Sequence, residues 1–230
     1  MKVYKLTDSS ARTNNIMQWG EGVTNKVRIR GNTLCSNQVI HYYSHPYIAI
    51  LMNPIHANHI DPLLWEADTP KSYAYDGTKG GCKTLTTLRQ IPIPQFTSEQ
   101  LITIAIKCAL AVYHEKSFVV WANKWLEGTD RIRSAAIAAR IATRAATRAG
   151  EYVAWAAVRA AEAAAIAART SVRIETRTAA ARSAAIAVRI ATEAAEAVAI
   201  MASRTRDINL ISILNEVLNE YKEGTNGKSE

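Results

Sequence analysis

Residues 131–206 are so rich in alanine that they leave this chain few structural options. Thirty of these 76 residues are Ala and 13 are Arg, none is Pro, and Gly150 is the single glycine. Ala has the highest helix propensity and Arg lies close behind, so the segment reads as helix. Run without a break, it would be roughly 110 Å long. A lone helix would leave Ile137, Ile141, Val153, Trp155, Val158, Ile166, Ile186 and Ile190 in water. Covering each is worth roughly 1.5–3 kcal/mol. The expectation is a coiled-coil-like module or helical hairpin, and a chain that forms a homo-oligomer.

An internal repeat supports that expectation. Residues 133–143 recur at 182–192 with one difference, Ala139 against Val188. Where the first copy has Arg144 and Thr147, the later copy has Glu193 and Glu196. Copies alike in packing residues and unlike in charge suit helices laid against one another. The charged positions step with a period near that of a straight helix and slip after Arg177, so a bend is placed near Thr178 or at Gly150.

The excess positive charge also sits here. Residues 1–130 sum to +3, residues 131–206 to +8 and residues 207–230 to −3. Arg140, Arg144 and Arg148 form one i, i+4, i+8 triad, and Arg169, Arg173 and Arg177 form another. The triads are candidate anion-binding residues for nucleic-acid phosphates, a nucleotide or an acidic protein. The competing reading is a solvated face partly paired with Glu from another helix. No aromatic ladder interleaves the arginines, so nucleic acid is not the favoured partner.

The rest of the chain predicts an α+β protein: a small β-rich head with two packed helices over residues 1–130, then the helical module over 131–221, then a disordered tail at 222–230. In the head, Val3–Leu6 reads as a short opening strand, Lys26–Arg30 as a half-exposed strand by its alternation, and Leu63–Ala67 as a buried strand after Asp61-Pro62. Ser72–Tyr75 and Cys82–Ile91 read as a hairpin turning at Asp76-Gly77, with Gly77-Thr78-Lys79-Gly80-Gly81 as its loop. A hairpin loop is favoured there over a phosphate cradle, because a strand, not a helix, follows the glycines. His45–Met52 reads as a short helix with Pro46 in its first turn. Thr97-Ser98-Glu99-Gln100 starts a helix with a capping box. Lys116–Leu126 is a second helix, with Val119, Val120, Trp121 and Trp125 on its buried side. Residues 207–221 form an amphipathic helix with Asp207 as N-cap.

No Walker-type, Gly-x-Ser-x-Gly or paired-carboxylate pattern occurs, so no catalytic residue is assigned. His41, His45, His56 and His59, with Cys35 upstream, have spacings a metal could use, but no Cys-x-x-Cys pair accompanies them, and no metal or other cofactor is assigned. His41 falls in a strand, Ile40–Tyr43, and a ligand pocket near His41, Tyr43 and His45 is the candidate site of the head. Three cysteines in 230 residues argue against a disulfide framework. With no secretory signal and no apolar run long enough for a bilayer, a cytoplasmic protein without membrane contact is expected.

The chain resembles uncharacterised phage and prophage proteins with a compact β-rich head and an Ala-rich, low-complexity tail. The residues carrying the resemblance are Leu51–Asn58, Leu64–Ala67, Cys82–Thr86 ahead of Ile91–Pro94, and the Ala/Arg repeats. It implies a mobile-element setting, the host cytoplasm and no particular chemistry. The order of the head is also similar to ADP-ribosyltransferase-like folds, but their late-strand catalytic Glu is not evident, and no residue is carried over. Together these features point to a non-enzymatic interaction protein that self-associates through its helices and binds or sequesters a host protein or an anionic nucleotide signal. The alternatives are an enzyme acting on NAD or nucleotides in the head pocket, and a nucleic-acid binder using the Arg stripe.

Overall fold

The computed structural model describes residues 1–14, 16–28, 30–111, 113–131 and 209–226. The Ala-rich repeats, both Arg triads and Asp207 lie outside the described residues. The chain divides into two compact units, Met1–Gln95 and Phe96–Glu230.

The first unit is built on an antiparallel sheet. Its strands are β1 (Lys2–Thr7), β4 (Thr24–Lys26), β5 (Ile40–Tyr43), β6 (Leu63–Asp68), β7 (Ser72–Tyr75), β8 (Lys79–Cys82) and β9 (Thr84–Ile91), in the order β4-β9-β6-β1-β5-β8-β7. The short strands β2 (Arg12–Thr13) and β3 (Met17–Gln18) form a separate ribbon. Val3, Ile40, Tyr42, Ala67, Cys82 and Leu85 make a core with Trp19, and Met17 and Val27 pack against it. Trp19 reaches the core from the long β3–β4 connection, anchored by Nε1–H donation to Thr13 Oγ1 at 2.9 Å.

The sheet parts at its centre. β1 pairs with β6 along its full length, from Lys2↔Asp68 to Thr7↔Leu63, but meets β5 at Tyr4↔Tyr43. Beyond that pair, Lys5 Nζ spans the parting and donates to His41 O at 2.9 Å. After β5 comes helix α1 (Pro46–Leu51), which buries Ile48, Ala49 and Leu51, and then the single turn α2 (Asn53–His56). The expected Pro-led helix is there, and its N-cap is His45, whose side chain accepts from the Tyr47 amide.

Two strand expectations need correction. The strand expected at Lys26–Arg30 is displaced: β4 ends at Lys26 and starts at Thr24, held by Thr24↔Thr86 and Lys26↔Thr84. The hairpin partner of β7 is not Cys82–Ile91 but β8, which contains most of the Gly-rich segment expected to be loop. The cause is Tyr42, which lies opposite Gly80. A Cβ at Gly80 would sit 2.1 Å from the Tyr42 ring, so the glycine is where the sheet receives a buried aromatic.

In the second unit, α3 (Ser98–Leu110) starts with the expected capping box, Thr97 bonded to the Gln100 amide and Gln100 to the Thr97 amide. Helix α4 (Lys116–Leu126) has the expected bounds and buries Phe118, Trp121, Ala122 and Trp125, while Val120 is exposed rather than buried. Helix α5 (Leu210–Asn226) lies on the expected amphipathic stretch, and at its start Asn209 Oδ1 accepts from the Ser212 amide. The helix continues past Tyr221 into the segment expected to be disordered. Its buried side, Leu210, Leu214, Val217 and Leu218, serves the packing against α3. Lys107 of α3 lies 2.8 and 2.7 Å from Glu216 and Glu220 of α5. Burial works against the Lys107 charge, but the two carboxylates hold its pKa above the usual value. No helix among the described residues is long and apolar enough to cross a membrane.

Candidate functional site

A cavity of about 550 Å³ opens where β1 and β5 part. That lies within the roughly 300–1,000 Å³ of small-ligand sites. Its ionisable groups come from six elements: Lys5 of β1, His41 and Tyr43 of β5, His56 of α2, His59 of the α2–β6 connection, Lys79 of β8 and Cys35 of the β4–β5 connection.

The two lysines are its most unusual members. Lys5 is 6% exposed and Lys79 is 7% exposed. A buried ammonium is costly unless paired. Neither lysine has an ion pair with a carboxylate among the described residues. Lys5 has His41 O and the Trp19 ring, 5.2 Å from Nζ to the centroid. Burial lowers its pKa to about 8, which leaves it mostly protonated at neutral pH. Lys79 Nζ donates to Cys35 Sγ at 3.0 Å. Asp76 is near, but its Oδ1 accepts from the amides of Thr78 and Lys79 and from Thr78 Oγ1, which shapes the β7–β8 turn and leaves the ammonium alone. Among the described residues, no Asp or Glu lines the cavity.

The aromatic and imidazole groups are held neutral. His41 Nε2 accepts from the Cys35 amide at 2.9 Å, so its proton sits on Nδ1. Burial first, then Lys5 and Lys79, push its pKa down to about 4. His56 is pushed to about 4 by burial and Lys79. Its ring stacks on Tyr43 with centroids 5.9 Å apart, and Nδ1 lies 3.3 Å from the phenol oxygen. Burial, and then Asp76, raise the Tyr43 pKa, so the phenol stays protonated. Cys35 is exposed, with φ at 60°, while Cys82 and Cys108 are buried. The site is therefore cationic and flat-walled, with one accessible thiol at its edge.

The chain matches no protein-family model, no curated protein and no solved structure.

Of the residues expected to form the head pocket, the structure brings His41 and Tyr43 together at the cavity. His45 is not among its lining residues, because its ring caps α1 and stacks on Tyr47 instead. Arg140, Arg144, Arg148, Arg169, Arg173 and Arg177 are not described. Among the described residues, no group of three or more His, Cys, Asp or Glu side chains stands close enough for a metal ion. The sequence reading missed Lys5 and Lys79 as site residues. The signal for Lys5 was its position between Val3 and Thr7, on the face that alternation assigns to the interior. For Lys79, the available signal was the glycine pair that follows it.

Proposed function

We propose that the Met1–Gln95 unit is a binding module for a small anionic ligand of nucleotide size. The observation that supports this is the pair of buried lysines, Lys5 and Lys79, facing one cavity that no carboxylate among the described residues lines. Buried charges need a counter-charge, and here a bound anion would supply it. The stacked Tyr43 and His56 rings offer a flat apolar wall for a base or other planar group. On this reading the protein binds or sequesters a nucleotide-like signal. Self-association through residues 131–206 belongs to the same proposal and rests on the repeat. A phage setting rests on the sequence resemblance.

Calorimetric titration of the full chain with pyrophosphate and with ATP tests the anion site. Lys5→Met and Lys79→Met should each weaken binding by about tenfold or more, as for a charge-assisted contact in a buried site. Equal affinity in wild type and both variants would refute the reading. The enzyme alternative uses the same cavity, and the feature that favours it is the accessible thiol of Cys35.

A further inference from the structure

We propose that Cys35 is a nucleophile that captures a small carboxylate- or phosphate-bearing electrophile in this cavity, with Lys79 as its charge partner. The inference rests on the anion-binding reading and adds a covalent step to it. Reactive thiols are exposed enough to be reached and stand in electropositive surroundings. Cys35 meets both conditions. Its Sγ is 3.0 Å from Lys79 Nζ, and that lysine is 7% exposed without a carboxylate partner among the described residues. The thiol is also held in place. The Cys35 amide is bonded to His41 Nε2, and Ser36 Oγ closes the turn by donating to Thr33 O at 2.6 Å.

The other cysteines serve neither role. Cys82 is fully buried in the sheet core, with its Sγ 3.5 Å from Ile40 O. Cys108 is fully buried in α3, and burial pushes its thiol up to about 12.

The chemistry is a displacement at carbon. The Cys35 thiol gives up its proton to solvent, and the sulfur, beside the Lys79 ammonium, attacks the electrophilic carbon with its lone pair. The new S–C bond forms as the bond from that carbon to its leaving group breaks, and the leaving group departs with that electron pair. The anionic group of the substrate is held by the Lys5 and Lys79 ammonium groups. No oxidant or further reactant is needed.

Iodoacetate and iodoacetamide are near-isosteric, and only the first carries a negative charge. The full chain is alkylated with each, and the rate at Cys35 is followed by peptide mass spectrometry. The same chain unfolded in urea supplies the intrinsic rate ratio of this thiol. In the folded chain the ratio of iodoacetate to iodoacetamide rates should exceed that reference by about tenfold, the effect of a nearby cation at reduced dielectric. Lys79→Arg should keep the excess, Lys79→Met should abolish it, and pyrophosphate should slow iodoacetate. A folded wild-type ratio at or below the unfolded reference overturns the proposal, whatever the variants do. Pyrophosphate titration of the Cys35→Ser chain separates the two readings. Binding retained there, with no alkylation excess in wild type, removes the nucleophile and leaves the anion site. Loss of both removes the site as well.

Discussion

Lys5 carries a conflict between stability and binding. It sits in the middle of β1, 6% exposed, and its charge is offset by a carbonyl and an aromatic face alone. Replacing an incompletely paired buried charge with an apolar side chain of similar length is often neutral or stabilising. The Lys5→Met chain is therefore expected to unfold at higher denaturant at pH 7, by about 1–2 kcal/mol after allowing for the lost hydrogen bond. The same change weakens anion binding. A stabilised chain with intact binding would show that Lys5 is only structural. His41 and His56 make a second residue-scale expectation. Their pKa values of about 4 lie below the ordinary 6.5. The unfolded chain then binds more protons than the folded one between these values. Their contribution is full above pH 6.5 and is lost as pH falls towards 4. Urea midpoints should drop across that window, and His56→Gln, which cannot be protonated, should flatten the drop. An unchanged pH slope in the variant would contradict the burial of a neutral imidazole.

At the level of elements, β8 shows how a partner decides what a segment becomes. Gly80 and Gly81 have the composition of a loop, and they form a strand because Tyr42 and Val39 fill the space their side chains would take. A Cβ at Gly80 meets the Tyr42 ring at 2.1 Å, and one at Gly81 meets Val39 at 2.8 Å. Gly80→Ala is expected to cost about 1–3 kcal/mol, the usual range for overpacking. In a Tyr42→Leu background the same change should cost less, and the two backgrounds compared by chemical denaturation give the coupling directly. Equal costs in both would place the strain elsewhere. The helices follow a different logic. Helix α3 has its own start signal in Thr97 and Gln100, whereas α5 is placed by burial of Leu210, Leu214, Val217 and Leu218 and by Lys107 between Glu216 and Glu220.

For the molecule as a whole, the division at Gln95 matters for what can be separated. The sheet and its cavity are complete within Met1–Gln95. Residues 1–95 expressed alone are expected to fold and to bind pyrophosphate as the full chain does. A chain ending at residue 130 keeps α3 and lacks α5, and so uncovers apolar surface on α3. It should aggregate more readily than residues 1–95, as light scattering of the two fragments would show. The reverse order would mean that α3 and α4 belong with the sheet. Local signals were enough for part of this architecture. The capping box at Thr97, Pro46 after His45 and the apolar spacing through Trp121 and Trp125 act within a few residues, so α1, α3 and α4 were legible from the chain alone. The short apolar runs Val3–Leu6 and Leu63–Ala67, the second set off by Asp61-Pro62, marked β1 and β6 for the same reason. Strand order was not legible, because hydrogen-bond partners in a sheet are chosen between segments far apart in sequence. The site depends on such choices. Lys79 is 44 residues from Cys35, and Lys5 is 36 residues from His41. Composition marks each as an ordinary polar residue. It takes the parting of β1 from β5 to turn two lysines, three imidazoles and a thiol towards one space, because that parting removes backbone pairing and leaves room for a ligand.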